Sequence, residues 1–350
     1  VADFIADFRE VIRRGTGSEL KQRQVLRKLD RFERELKKVG GDVNAHPQRK
    51  FVEALCQDGH GDFKELMKQL CFARLVRGDF SSWEGWQFRN EWAEASYHPS
   101  MYERRWKPGD GAKSLAILGE QGIGDEIMFS SCLGEVCDLV PEVVVECDPR
   151  LQAVLERSFP VKTRPRSDII HRGTSIRYLT ADREEEKFIP IGDLPKLFRR
   201  SREDFPRVPY LKPLPEKVTS YADLKGRTGI AWRGRTGQFR AEDLGVVNPV
   251  FLQYDGWEYE TENLSGFRPP IDLHDDVEDI LGICANLEKV VTTTQTIVHF
   301  AGAVGTKVEV ILPPKGSSRV ENAIPYRYTQ PEMVWYRDVK VFPSLMAYKR

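Results

Sequence analysis

The stretch Ser114-Leu115-Ala116-Ile117-Leu118-Gly119-Glu120-Gln121-Gly122-Ile123-Gly124-Asp125-Glu126 decides the fold. Four apolar residues in a run of five read as a strand buried on both faces, and the three glycines after them punctuate a turn that feeds a helix. Strand, glycine turn and helix in that order open a parallel sheet, because parallel neighbours need a crossover of a dozen or more residues. Outward from this stretch the alternation continues. A helix is expected over 125–139, a strand over 143–147 and a helix over 151–159, a βαβα unit. Residues 164–186 are polar and give no assignment, and the proline-rich 206–215 reads as a connection between lobes. A second series then begins, with strands over 228–232, 250–253, 289–293 and 307–312 and helices near 277–286 and 296–304.

Upstream the pattern is helical. Val25, Leu29, Phe32, Leu36 and Val39 alternate steps of four and three, which makes a one-faced helix over 22–39. Two further helical stretches, around Phe51, Val52 and Leu55 and around Phe63, Leu66, Met67, Leu70 and Leu75, flank the turn Asp58-Gly59-His60-Gly61 as a hairpin. The aromatic-rich segment 78–92 reads as core packing, and 107–111 as a linker. No repeat of 20–50 residues extends beyond the single hairpin, which excludes a solenoid. The expected organisation is a helical appendage over 1–110, a first α/β lobe over 111–212 and a second over 226–343.

Charge and cysteine usage narrow the function classes. The 350 residues carry 53 basic and 53 acidic side chains, so no global field draws the molecule to a polyanion. Locally, residues 9–50 hold 13 Lys or Arg against 6 Asp or Glu. Such a basic helix suits a polyanion, or is a solvated face. No run approaches the roughly 18 apolar residues of a membrane span, and residues 1–14 lack the apolar core of a signal peptide. A cytoplasmic location without a membrane span is the expectation. Six cysteines without a CxxC pair read as buried free thiols rather than metal ligands.

Open α/β sheets bind ligands outside the carboxyl ends of their strands. After the first strand, Gly119, Gly122 and Gly124 let a ligand approach the backbone, while Glu120, Asp125 and Glu126 would repel a diphosphate. The loop, with Gln121, therefore suits an uncharged acceptor. Asp125 at a helix N-terminus is stabilised as the anion and is placed to take a proton from an attacking hydroxyl; the other reading is that Asp125 and Glu126 only complement the helix dipole. In the second lobe, Trp232-Arg233-Gly234-Arg235-Thr236-Gly237 puts two guanidinium forks and two glycines after a strand, a pattern suited to phosphate or to a charged surface. The hydroxyl-rich turn Thr294-Gln295-Thr296 opens a helix whose free amides form an anion site. His299, one turn in, reaches the same anion or is a structural histidine. Asp275-Asp276 precedes a helix and reads as a cap rather than a metal pair.

Five blocks, 118–133, 146–151, 157–160, 229–234 and 294–305, resemble the C-terminal glycosyltransferase-like region of bacterial tetratricopeptide-repeat proteins, a family related to ADP-heptose heptosyltransferases and more distantly to O-GlcNAc transferases. The resemblance covers about residues 70–343. It implies a GT-B fold, two Rossmann-like lobes with the tetratricopeptide-like appendage, and a transferase that takes a nucleotide sugar as co-substrate with no cofactor and no metal. It implies Asp125 as base, and Arg233, Thr294, Thr296 and His299 on the donor; Arg235, Gln295 and Gln253 join the donor set, and Glu120, Gln121, Gly122, Gly124 and Glu126 the acceptor loop. The implied reaction is an inverting transfer to a saccharide, a protein or a hydroxylated nucleic-acid base. Residues 240–247 depart from the family pattern, and Gln253-Tyr254-Asp255 keeps part of the motif bordering the nucleoside. A non-catalytic GT-B scaffold is the competing class. A nicotinamide-dependent oxidoreductase is disfavoured because neither lobe carries GxGxxG after its first strand.

Overall fold

The computed structural model describes Cys71, Leu75, residues 78–80, Trp83, Trp86, 104–120, 122–166, 169–171, 174–176, 185–234, 237–255, 259–313 and 331–350. The chain forms two compact units, 1–91 and 92–350. In the first, Phe80, Trp83 and Trp86 are buried, with Trp83 edge-on to Trp86 at 5.4 Å, so the aromatic segment packs as a core there. Cys71 and Leu75 are helical and buried; the expected basic helix and most of the hairpin lie outside the described residues.

The second unit contains both sheets. The first is built from β1 (Ser114–Leu118), α1 (Ile123–Ser130), α2 (Leu133–Cys137), β2 (Glu142–Cys147), α3 (Gln152–Ser158), β3 (Lys162–Pro165), the hairpin of β4 (Ile169–His171) and β5 (Thr174–Ile176), β6 (Lys187–Pro190) and α4 (Leu194–Phe198). Its order is β3-β2-β1-β6, all parallel. Leu115, Ala116, Ile117 and Leu118 are fully buried, as a central parallel strand covered on both faces must be. The expected helix over 125–139 is two helices instead. Ser130 Oγ donates to the Ile127 carbonyl at 2.6 Å and Cys132 N to the Phe129 carbonyl at 3.0 Å, so the turn tightens and the axis breaks. β6, which pairs with β1, begins at Lys187, directly after the stretch that gave no assignment, and was not expected.

The second sheet follows α5 (Pro215–Ser220) and comprises β7 (Thr228–Ala231), the two-residue strands β8 (Arg233–Gly234) and β9 (Gly237–Gln238) set aside as a small ribbon, β10 (Val250–Phe251), α6 (Val277–Asn286), β11 (Lys289–Thr292), α7 (Ile297–Val304), β12 (Lys307–Ile311), β13 (Val339–Phe342) and α8 (Leu345–Tyr348). Its order is β10-β7-β11-β12-β13, again parallel. Ile230, Trp232, Phe251, Val291 and Ile311 fill one face, and Leu345 and Tyr348 of α8 close over them. α5 packs on α6 through Lys217, which reaches the Asp279 carboxylate at 2.7 Å, and Gly282 admits it: a Cβ there would lie 2.8 Å from Lys217 Cβ. Packing of the second lobe thus extends back to Pro215.

The chain reverses direction across each sheet between adjacent strands, β1 and β6 in one and β7 and β11 in the other. Those switch points are where an open α/β sheet leaves a crevice. The lobes meet along one seam. Tyr210 N and Leu211 N both donate to the Ala303 carbonyl, at 2.9 and 3.1 Å. Arg157 of α3 forks onto Glu278 of α6 at 3.0 and 2.6 Å and donates to the Lys212 carbonyl. Among the described residues no helix is long and apolar enough to cross a membrane. Cys132, Cys147 and Cys284 are buried free thiols, and burial pushes Cys132 and Cys284 up to about 12.

Candidate active site

Local chemistry fixes the loop after β1. Gly119 N donates to the Glu146 carbonyl at 2.7 Å, which continues the strand pairing by one residue and turns the chain toward α1. Gly122 caps α1, and Asp125, third in the helix, turns its carboxylate back to accept from the Gly122 N–H at 3.4 Å. Asp125 is 4% exposed. Glu126 is completely buried: it accepts from Asp148 N at 2.7 Å and pairs with the Arg166 guanidinium at 2.8 Å. Neighbours on a helix point about 100° apart. That rotation sends Glu126 into its own lobe, where it ties the β1 and β2 loops together, and not toward an acceptor as its sequence suggested. Glu120 is buried, Gly122 exposed and Gly124 half-buried, while Gln121 lies outside the described residues.

In the second lobe the sequence-identified turns do come together. A Cβ on Gly234 would lie 2.6 Å from the Thr294 carbonyl, so the turn after β7 and the turn after β11 touch. Within them the roles differ from expectation. Gln253 is fully buried, and its Oε1 accepts from the amides of Trp232 and Arg233 at 3.2 and 2.9 Å. It is a backbone clamp rather than a donor ligand. Arg233 donates to Glu260 at 3.0 Å and to the Asp255 carbonyl at 2.5 Å, with the Asp255 carboxylate at 3.5 Å. Its charge is already countered by carboxylates. Arg235 lies outside the described residues.

Thr294 is buried, Gln295 Nε2 donates to Thr292 Oγ1 at 2.9 Å, and Thr296 occupies the N-cap of α7 without a side-chain cap bond. Val298 N donates to the Gln295 carbonyl at 3.3 Å and His299 N to the Thr296 carbonyl at 2.9 Å, so of the first three amides of α7 the one at Ile297 is left for a ligand. His299 is 3% exposed, its Nδ1 sits 2.9 Å from the Tyr336 hydroxyl, and its Cδ2 edge would be 2.8 Å from a Cβ on Gly124. It faces the loop after β1 across the seam. Asp276 stands at the N-cap of α6, but its carboxylate accepts from Asp272 N at 2.8 Å, so the expected side-chain cap is not made.

Between the two switch points lies a pocket of about 130 Å³, lined by Ile123 and Arg150 from the first lobe and by Tyr254, His274, Gln295 and Thr296, among others, from the second. Arg150 grips Asp148 with two 2.8 Å bonds and donates across the pocket to the His274 carbonyl at 2.8 Å. Burial pushes the Asp148 carboxyl up, but the hydrogen bonds and charge of Arg150 outweigh it and hold the group below its ordinary value. Arg150 and His274 were not singled out from sequence. The signal for Arg150 was position alone: Asp148-Pro149-Arg150 comes directly after β2, as the acidic loop comes directly after β1. Among the described residues no group of three or more His, Cys, Asp or Glu is arranged to hold a metal ion.

The pocket presents the Arg150 guanidinium on one side and Gln295, Thr296 and the Ile297 end of α7 on the other, and Asp125, 4% exposed, stands two residues beyond its Ile123 wall. Such a pocket suits a ligand that is anionic at one end and hydroxylated at the other.

No family model matches the chain. Protein FlbA of Caulobacter vibrioides is 29% identical over 269 residues, which cover 64% of this chain and 44% of that protein. The chain thus spans less than half the length of this relative. Among solved structures, a glycosyl transferase family 9 protein from Veillonella parvula aligns over 66% of this chain and 86% of its own at 10% identity and TM-score 0.41. The ADP-heptose lipopolysaccharide heptosyltransferase II of E. coli aligns over 65% and 90% at 10% identity and TM-score 0.40.

Proposed function

We propose that the chain is a glycosyltransferase that moves a sugar from a nucleoside-diphosphate sugar to an acceptor hydroxyl in the cleft between its two sheets. One observation carries the reading: the loop with Asp125 and the helix start at Thr296 stand at the two switch points and meet across one seam, through Gly124 and His299. Asp125 takes the acceptor proton as the hydroxyl attacks the anomeric carbon. The Ile297 amide at the start of α7, the Thr294 and Thr296 hydroxyls, Gln295 and Arg150 receive the departing diphosphate, whose growing charge they stabilise without a metal. Arg233 joins them, with Arg235, by exchanging its contact with Asp255, a carboxylate that is 55% exposed and so weakly held. In-line attack of this kind inverts the anomeric centre. The acceptor is a saccharide, a protein or a hydroxylated nucleic-acid base. The paired state of Arg233 favours the second reading, a scaffold that keeps the lobes without the reaction.

A thermal-shift screen with ADP, UDP, GDP, CMP and dTDP sugars separates the two, since a ligand bound only by the folded state raises its Tm. The transferase reading expects one nucleotide to shift Tm, the shift to disappear in Arg150→Ala, and Asp125→Asn to keep the shift while losing transfer. Absence of any shift, together with no released nucleotide on incubation with the panel, supports the scaffold.

A further inference from the structure

The geometry points to Tyr336 as a positioning residue that sets the orientation of Asp125, an inference that rests on reading Asp125 as the base. Tyr336 is 1% exposed and lies 211 positions from Asp125 in the chain. Its hydroxyl meets His299 Nδ1 at 2.9 Å, and its ring stacks on Tyr210 with centroids 6.2 Å apart at 17°. Tyr210 in turn donates its hydroxyl to the Ile127 carbonyl at 2.8 Å. Gly302 gives the ring its place, since a Cβ there would lie 2.6 Å from it.

The first turn of α1 is therefore held at two points. The His299 edge bears on Gly124, and Tyr210 holds the carbonyl of Ile127; Asp125 sits between them. Both holds converge on one phenol. Rotation of α1 that moved the Asp125 carboxylate would have to break the Tyr210 bond or drive Gly124 into the imidazole. The hydrogen bond between this hydroxyl and Nδ1 also holds the imidazole in one orientation. The same histidine belongs to α7, whose first turn opens the anion pocket, so the phenol links the donor end of the cleft to the base. His299 then acts on the reaction through Gly124 and not as a ligand of the donor.

Tyr336→Phe in the full chain keeps the ring and removes the hydroxyl. With whichever of ADP-, UDP-, GDP- or dTDP-glucose is turned over, kcat is expected to fall about tenfold while KM and the Kd of the free nucleoside diphosphate stay within twofold. Tyr210→Phe should lower kcat less, again with KM unchanged. In ¹⁵N-histidine spectra, the His299 signal should show a single tautomer in the parent and a mixture in Tyr336→Phe. A raised Kd for the diphosphate with kcat intact would overturn the proposal and make His299 a donor ligand. If no sugar nucleotide is turned over, the transferase reading fails on its own, and the coupling is read from the Gly122 amide, whose N–H points at Asp125: its chemical shift should differ between parent and Tyr336→Phe. Identical shifts would overturn the coupling.

Discussion

At the end of β1 the side chain of Glu126 is sealed from solvent against Arg166, while at the end of β7 the guanidinium of Arg233 is 26% exposed and its partners Asp255 and Glu260 are 55% and 32% exposed. Both loops carry opposed charges beside a glycine, and both sit at a switch point. They differ in what water can reach. A buried pair holds shape, because removing one member leaves the other desolvated; an exposed pair can trade one anion for another at little cost. The first loop is built to stay in place and the second to exchange partners. Of the three carboxylates in the acidic loop, Glu126 is thereby turned into its own lobe and away from the cleft.

Glu126→Ala tests the stronger side of that contrast. It should destabilise the chain by about 3 kcal/mol in urea unfolding, the scale of breaking a buried pair, and a loss under about 1 kcal/mol would place Glu126 with the exchangeable charges. Gly234→Ala comes next: a methyl 2.6 Å from the Thr294 carbonyl meets backbone that has little room to give, so about 1–3 kcal/mol is expected together with weaker nucleotide binding.

The Asp148 carboxyl sharpens the comparison by pH. Its folded value lies below the ordinary 3.8, so its contribution is complete above that pH and is lost as pH falls through the folded value. Asp148→Asn should be less stable than the parent at pH 7, with the two converging below pH 3.8; parallel curves would show that Arg150 does not hold it. The smallest change is expected from Arg157→Ala, at or under about 1 kcal/mol, since both members of its pair with Glu278 are about a quarter exposed. A larger loss would mean that the seam, and not the two sheets, carries the stability of the unit.

Much of this frame was legible in the chain. β1, β7, β11 and β12 are short apolar runs bounded by turns, and each was placed to within a residue because strands buried on both faces write their burial directly into composition. β6 was not, since Lys187-Phe188-Ile189-Pro190 is four residues ending in a proline and follows a polar stretch. β13 was missed as well: Val339-Lys340-Val341-Phe342 is a brief edge strand with one charged residue facing out. At the site, the loops were found and the directions within them were not. Asp125 and Glu126 are the same chemistry one residue apart, and only the seating of α1 on its sheet decides which turns inward. Gln253 was assigned to a ligand because a polar residue after a strand has the same appearance whether it meets solvent or clamps two amides. Arg150 and His274 are 124 residues apart and belong to different lobes. No local pattern announces a pair that only tertiary contact creates.

The segment joining the lobes looks severable, proline-rich and without regular structure from 199 to 214, yet it is stitched to both sides. Tyr210 and Leu211 give their amides to the last turn of α7, and Lys212 takes Ser158 Oγ on its amide and Arg157 on its carbonyl. A chain cut there would expose the Ala303 carbonyl on one fragment and leave the side chains of Arg157 and Ser158 short of partners on the other. Separating the two lobes at this joint would break bonds on both sides of it. A truncation or domain exchange that keeps these bonds carries residues 210–212 along with both neighbours, in keeping with one compact unit over 92–350.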